Sequence, residues 1–312
     1  MTQFLTSPNG RPASRLAFGT MQFGGRADAA ASQQMFEDCL AAGINHFDTA
    51  HVYTDGASET LLGQFARDHR DDLIIATKAG YEGGSGAQNI RQSVDTSRQR
   101  MQMDVLDVLY LHRYDPDTDP RETFETFAEL KSQGLVRAFG VSNYAAWQVV
   151  KAAGIAAQFD VEIAIIQPMY NLAKRQAEVE ILPMAQDLGI HVAPYSPLGG
   201  GLLTGKYIGG GTGRLTEDDR YAARYDQQAM RDAASGLRDL ADVLNTSPIT
   251  LAVAWVAAHP ARPSPIISAR SAAQLAPSLA AMDMALDPET YAQIAALSPT
   301  PPPATDRLEE QA

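Results

Sequence analysis

The chain has 312 residues, of which 45% are hydrophobic and 20% charged, with 37 acidic against 25 basic side chains and a net charge of −12. That apolar share supports one large core, and no Lys/Arg run is dense enough to track a nucleic-acid backbone or an anionic membrane surface. The single cysteine, Cys39, excludes an intrachain disulfide. No stretch reaches membrane-spanning length and the N-terminus lacks a signal-like apolar core, so a reducing cytoplasm is the expected compartment.

Along the chain, short apolar strands alternate with amphipathic helices. Strands are expected to begin near Leu16, Ile44, Leu73, Asp107, Val136, Ala164, His191 and Ser264. The runs DLIIAT, VLDVLYLH and EIAIIQP are continuously apolar, as parallel strands buried on both faces are. Between the first two strands, Met35, Phe36, Cys39 and Leu40 mark the buried face of a helix, so Cys39 reads as packing rather than a reactive thiol. Further helix starts are Asp119-Pro120-Arg121-Glu122, Ser247-Pro248 and Asp287-Pro288-Glu289, each with a capping side chain before a proline. Ser271 and Gln274 form a capping box directly after the last strand.

The interval from Tyr195 to Ser264 is too long for one crossover. Its glycine-rich first part, GGGLLTGKYIGGGTGRLTEDDRYAARY, is expected to be a mobile loop, and DQQAMRDAASGLRDLADVLN an extra helix. The proline-rich acidic end, SPTPPPATDRLEEQA, is expected to be disordered. Eight such units predict an α/β fold, a single (β/α)8 TIM-barrel domain over residues 1–298 followed by a tail at 299–312. A doubly wound dinucleotide fold needs G-x-G-x-x-G in its first βα turn, and Phe18-Gly19-Thr20-Met21 does not provide it.

Reactive groups of a barrel sit at the C-terminal ends of its strands. Those ends hold Asp48, with Tyr53 in the loop beyond it, then Lys78, His112, Gln167 and Tyr195-Ser196-Pro197. Asp48, Tyr53, Lys78 and His112 form a coherent acid–base set. A phenol with a pKa near ~10 donates poorly at neutral pH, and a neighbouring ammonium lowers that pKa. Asp48 keeps the lysine charged, and His112 is placed to bond a polarised carbonyl oxygen. Singly, a strand-end Asp also reads as a loop cap, a Lys as a solvated charge and His112 as a loop histidine. His46 and Asp48 share one face of a strand, but no further ligand completes a metal site, and none is expected.

At these residues the sequence resembles the aldo-keto reductase family, from about Leu16 to about Leu297. The resemblance is carried by FDTAHVY (Phe47 to Tyr53), the lysine of IIATK, LHR, GVSNY from Gly140, QPMYNL from Gln167, PYSPLGGGLLTGKY from Pro194 and PIISARSAAQL from Pro265. The later motifs are similar to the bacterial branches that include the potassium-channel β-subunits. The resemblance implies a nicotinamide across the barrel mouth, with Tyr53 the proton donor, Lys78 and Asp48 tuning it, and His112 orienting the substrate. It implies that Gly19, Thr20 and Met21 lie beside the cofactor, that Ser142, Asn143 and Gln167 hold the carboxamide, and that Tyr195 stacks on the ring. Ser196, Leu198 and Lys206 fall to the pyrophosphate, and Arg270, Ser271 and Gln274 to the adenosine end, where Arg270 suits a 2′-phosphate and NADP(H) over NAD(H). Two positions depart from the family pattern: Ser268 stands for a glycine and Ser278 for an asparagine.

The expected activity is NADPH-dependent reduction of an aldehyde or ketone. The alternatives are an NAD-dependent dehydrogenase of sugars or other alcohols, and a non-catalytic nicotinamide-binding regulatory subunit. The expected partner is a small aldehyde, ketone or sugar, with no motif addressing oligomeric state.

Overall fold

Apolar runs bounded by turn residues become strands buried on both faces. In the computed structural model, which describes residues 5–311, these are β1 (Ala17–Gly19), β2 (His46–Asp48), β3 (Ile74–Ala79), β4 (Leu106–Leu111), β5 (Val136–Ser142), β6 (Ile163–Gln167), β7 (His191–Val192) and β8 (Ile266–Ile267). The sheet order is β7-β6-β5-β4-β3-β2-β1-β8 and the pairing is parallel. Its ends meet, because Ser264 N–H donates to Val192 C=O at 2.8 Å and Ile266 N–H to Pro194 C=O at 2.9 Å. The eight strands thus close into the (β/α)8 barrel. The β7 ladder is short because Pro168 and Pro194 each remove a backbone donor; single bridges join Tyr195 to Met169 and Ile266 instead.

Helices α1 (Ala29–Ala41), α2 (Ala57–Ala66), α3 (Ala87–Met101), α4 (Pro120–Ser132), α5 (Ala146–Ala156) and α6 (Ile181–Asp187) follow the first six strands. The stretch after β7 holds α7 (Arg214–Glu217), α8 (Asp219–Tyr225), α9 (Gln228–Val243) and α10 (Pro248–Ala257). The extra helix expected there is α9, while the glycine-rich stretch folds into short turns, α7 and α8. After β8 come α11 (Ala272–Leu279) and α12 (Pro288–Ala295). Asp119, Ser247 and Asp287 cap α4, α10 and α12 through their side chains. Glu122 does not complete a box on its own cap; its carboxylate accepts from Ala87 N–H at 2.8 Å and joins α4 to α3. Beyond α12 the described tail carries no strand, only a short turn at Leu308–Gln311.

Period-two alternation sorts the strand side chains into two cores. Ile74 and Ala76 point into the barrel with Val108, Tyr110, Ile165 and Ala193, whereas Ile75 and Ala79 face the helices. Cys39 is buried in that outer layer, where desolvation raises its thiol pKa well above the ordinary value. At the strands' N-terminal ends the chain folds back on itself, with Leu5 and Ala13 packed against the interior cluster. That plug leaves the opposite end as the open mouth, and the alternation that buries Ile74 and Ala76 carries Lys78 to it. Among the described residues no single helix is long and apolar enough to cross a membrane.

Candidate active site

Three adjacent strand ends converge at the mouth. Lys78 Nζ donates to Asp48 Oδ1 at 2.5 Å and to the Thr49 carbonyl at 2.7 Å, and it lies 3.4 Å from the Tyr53 hydroxyl. Both charged partners are buried, Lys78 at 1% and Asp48 at 3% exposure, so the pair compensates the loss of water around each group. Burial works against the Lys78 charge, but Asp48 and then Tyr53 outweigh it and hold its pKa above the ordinary value. Burial raises the Tyr53 phenol, against the lowering pull of Lys78. The lysine therefore acts in the expected direction, yet desolvation prevails, and Tyr53 stays protonated at neutral pH.

His112 follows β4, and its ring centroid lies 5.9 Å from that of Tyr53, nearly perpendicular to it. Burial first, then Lys78 and Arg113, push its pKa down to about 3. A neutral imidazole offers one N–H donor, and among the described residues its Nδ1 has no partner. The Tyr81 ring lies 4.8 Å from His112, with the Arg113 guanidinium 4.9 Å from Tyr81.

The structure gathers the residues expected at a carboxamide. Ser142 Oγ donates to the Gln167 carbonyl at 3.0 Å and accepts from Asn143 Nδ2, which also donates to the His112 carbonyl at 2.9 Å. Tyr195 donates to Asn143 Oδ1 at 2.7 Å. Gln167 turns its side-chain amide to Asp48 Oδ2 at 2.8 Å, so it belongs to the acid–base cluster as well. Asn143 and Ser196 both take left-handed φ angles near 59°, which re-aim the chain as it leaves β5 and the β7 edge.

The first βα loop supports the mouth from beneath. Gly19 is required for close approach, since a Cβ there would come within 2.9 Å of Ile266 Cγ2. Thr20 is fully buried, with its hydroxyl 2.8 Å from Ser58 Oγ and 3.2 Å from the Asp48 carbonyl. That side chain braces the wall, and Met21 follows it half-exposed. Leu198 packs on the core, whereas Lys206 is exposed in the turn Lys206–Gly209 with its ammonium 4.8 Å from the Tyr207 ring.

At the start of α11, Ser271 caps Gln274 N–H, but Gln274 Oε1 accepts from Arg270 N–H at 2.8 Å. Half of the expected capping box therefore forms, while its reciprocal half goes to Arg270 N–H instead of Ser271 N–H. Ser278 is buried within α11, and the Ser268 hydroxyl is buried without a partner among the described residues. Burial, then Arg26 and Arg214, lower the Arg270 pKa. These guanidiniums come from the separate stretches after β1, β7 and β8, with Glu217 beside them and bound to Arg26 at 3.5 Å.

Sequence reasoning missed Arg26 and Arg214, although each directly follows a glycine in a loop at a strand's C-terminal end. It also missed Tyr81 and Arg113 at the rim, and Glu59 and Arg100 behind Tyr53. A lone carboxylate in the apolar stretch SETLLG was the available signal for Glu59. Among the described residues no group of His, Cys, Asp and Glu is arranged to hold a metal ion.

The sequence profile of the Aldo/keto reductase family matches residues 15–299. A probable voltage-gated potassium channel subunit beta of Oryza sativa subsp. japonica is 32% identical, with 96% of this chain and 97% of that protein covered. The uncharacterized oxidoreductase YrpG of Bacillus subtilis (strain 168) is 33% identical over 92% of this chain and 93% of its own length. Aflatoxin B1 aldehyde reductase member 2 of Rattus norvegicus is 37% identical over 61% of this chain and 53% of its length. With a match spanning the whole barrel and relatives aligned almost end to end, the chain belongs to the aldo/keto reductase family.

Proposed function

We propose that the protein reduces aldehydes or ketones with NADP(H), using Tyr53 as the proton donor. The observation that carries this reading is the buried Lys78 ammonium set between the Asp48 carboxylate at 2.5 Å and the Tyr53 hydroxyl at 3.4 Å. A bound nicotinamide supplies the hydride to the carbonyl carbon. As charge develops on the carbonyl oxygen, Tyr53 releases its O–H proton to that oxygen, and the adjacent ammonium stabilises the phenolate left behind. Asp48 keeps the ammonium charged and aimed. Neutral His112 directs an N–H at the same oxygen without competing as an acid. The aldehyde reductases among the relatives support the reductive direction and a small carbonyl substrate.

The donor set at the rim fits a nicotinamide cofactor. Ser142 and Asn143 supply the donors and acceptors a carboxamide needs, with Gln167 beside them, and the half-buried Tyr195 offers a ring face. Gly19, Thr20 and Met21 shape the floor. Ser196, Leu198 and Lys206 border the path of a pyrophosphate. Arg26 and Arg214 both oppose the charge on Arg270, with Glu217 beside them, an arrangement that an anion stabilises. The extra phosphate of NADP(H) meets that need better than NAD(H), with Ser268, Ser271, Gln274 and Ser278 around the adenosine.

Titration with NADPH and separately NADH, followed by quenching of intrinsic fluorescence, tests the cofactor. Tight NADPH binding with turnover of a carbonyl panel, abolished in Tyr53→Phe while nucleotide binding persists, is the expected result. Stronger NADH binding moves the reading to a dehydrogenase of sugars or alcohols, and binding of neither nucleotide removes it. The near-complete alignment with channel subunits favours one second reading, a nicotinamide-binding regulatory subunit. On that reading NADPH binds and no carbonyl of the panel is turned over.

A further inference from the structure

The proton donor stands on a strained turn. Thr54, Asp55 and Gly56, directly after Tyr53, all have positive φ, at 47°, 53° and 92°. A β-branched residue and an aspartate in this region persist only where the surroundings over-determine them. One side of the turn is held by Thr54, whose hydroxyl donates to the Phe23 carbonyl at 2.8 Å and accepts from Ser58 N–H at 3.0 Å.

The other side is held by Arg100 from α3. Its guanidinium lies against Gly56 so closely that a Cβ there would overlap it. Its Nη1 donates to the His51 carbonyl at 2.8 Å and to Glu59 Oε2 at 3.0 Å. Glu59 is wholly buried in α2, and its other oxygen accepts from Thr77 Oγ1 at 2.6 Å. Thr77 immediately precedes Lys78 in β3, pointing outward where Lys78 points inward. One carboxylate therefore ties the strand that carries the ammonium to the turn that carries the phenol.

We propose that Glu59, Arg100 and Thr77 are positioning residues that set the separation between Tyr53 and Lys78 from behind the barrel wall. The proposal rests on Tyr53 being the proton donor. None of the hydrogen bonds of this network goes to Tyr53, Lys78, Asp48 or His112 side chains, so its effect on the reaction passes through the backbone that carries the two groups. The network is braced by the close approach of α2 to α3 at Gly63, where a Cβ would overlap the Met101 backbone next to Arg100.

The test compares Thr77→Val, Thr77→Ser, Glu59→Gln and Arg100→Met in the full-length protein. Thr77→Val keeps the side-chain shape and removes only the hydroxyl, so it covers the case in which Arg100→Met fails to fold. Small displacement of a reacting group lowers kcat by up to about a hundredfold. Thr77→Val should lower kcat about tenfold with NADPH affinity and KM unchanged, and Thr77→Ser should restore it. A second readout needs no substrate: tyrosine labelled with 13C at Cζ, the Tyr53 signal being the one lost in Tyr53→Phe. That signal should shift in Thr77→Val and Glu59→Gln while other tyrosine signals hold. If the wild type turns over no carbonyl, the donor reading fails and the Tyr53 signal alone decides the positioning. A Tyr53 signal unmoved by these variants overturns the proposal, as does a parallel fall in kcat, cofactor affinity and melting temperature.

Discussion

Gln167 at the end of β6 donates from Nε2 to Oδ2 of Asp48 at the end of β2, across 2.8 Å and 119 residues of sequence. Lys78 occupies the other carboxylate oxygen. The carboxylate is therefore gripped from β3 on one side and β6 on the other. Its orientation, and through it the ammonium's aim at Tyr53, does not depend on a single contact. The Gln167 carbonyl also receives Ser142 Oγ and Asn143 N–H, so one residue links the acid–base cluster to Ser142 and Asn143.

Replacing Gln167 with Leu leaves Asp48 Oδ2 buried without its donor. Leaving a buried acceptor unpaired costs about 1–3 kcal/mol. Urea unfolding of Gln167→Leu should show a loss of that size, with kcat lowered as well because Lys78 loses its fixed partner. An unchanged unfolding midpoint would mean that Lys78 alone satisfies the Asp48 carboxylate.

Acid sensitivity is built into the barrel interior below that cluster. His46 is fully buried, and among the described residues neither ring nitrogen has a partner. Burial, then His191 and Lys78, push its pKa down to about 3, and burial pushes His191 down to about 4. In the unfolded chain each regains an ordinary value near ~6.5. Between pH 6.5 and the folded values the unfolded state binds more protons, so stability falls as pH falls and is level above that window. One such group contributes about 1.4 kcal/mol per pH unit, or about 2 kcal/mol between pH 6.5 and 5. Urea unfolding at these two pH values should show His46→Leu losing about 2 kcal/mol less than the wild type on acidification. Equal losses in both proteins would show that His46 is protonated inside the fold.

The barrel was legible because its strands are apolar on both faces and its candidate site residues end them. Asp48, Lys78 and Gln167 lie on those ends by simple strand periodicity, and Tyr53 follows in the next loop. Other features depend on geometry that sequence spacing does not encode. The bond from Gln167 to Asp48 lies across the barrel, so no spacing in the sequence predicts it until the closed ring brings β6 opposite β2. Whether Tyr53 is raised or lowered depends on burial outweighing Lys78, a balance of magnitudes rather than residue types. Arg26, Arg214 and Arg270 come from the stretches after β1, β7 and β8, and only Arg270 lies in a recognisable motif.

Gly63 tests how far the helical layer fixes the site. It lies in the interior of α2, where glycine is costly relative to alanine, yet a Cβ there would overlap the Met101 backbone of α3. Backbone cannot yield as a side chain does, so the helices must separate. Overpacking of this kind costs about 1–3 kcal/mol, more than the helix propensity gained. Gly63→Ala should therefore be destabilised in urea unfolding despite its better helix former. A variant as stable as the wild type would show that α2 and α3 move apart freely.

Arg270 should decide which nicotinamide nucleotide is preferred. It is half-buried beside Arg26 and Arg214, and burial together with those two charges lowers its pKa. An arriving phosphate relieves that repulsion and gains charge-assisted hydrogen bonds worth about 1.5–3 kcal/mol. Arg270→Leu should thus weaken NADPH binding by about ten- to hundredfold in a fluorescence titration. NADH lacks the 2′-phosphate and should change little. Equal weakening of both nucleotides would instead place Arg270 on the pyrophosphate they share. In that case the discrimination would rest on Arg26 and Arg214, and substituting each in the same titration would locate it.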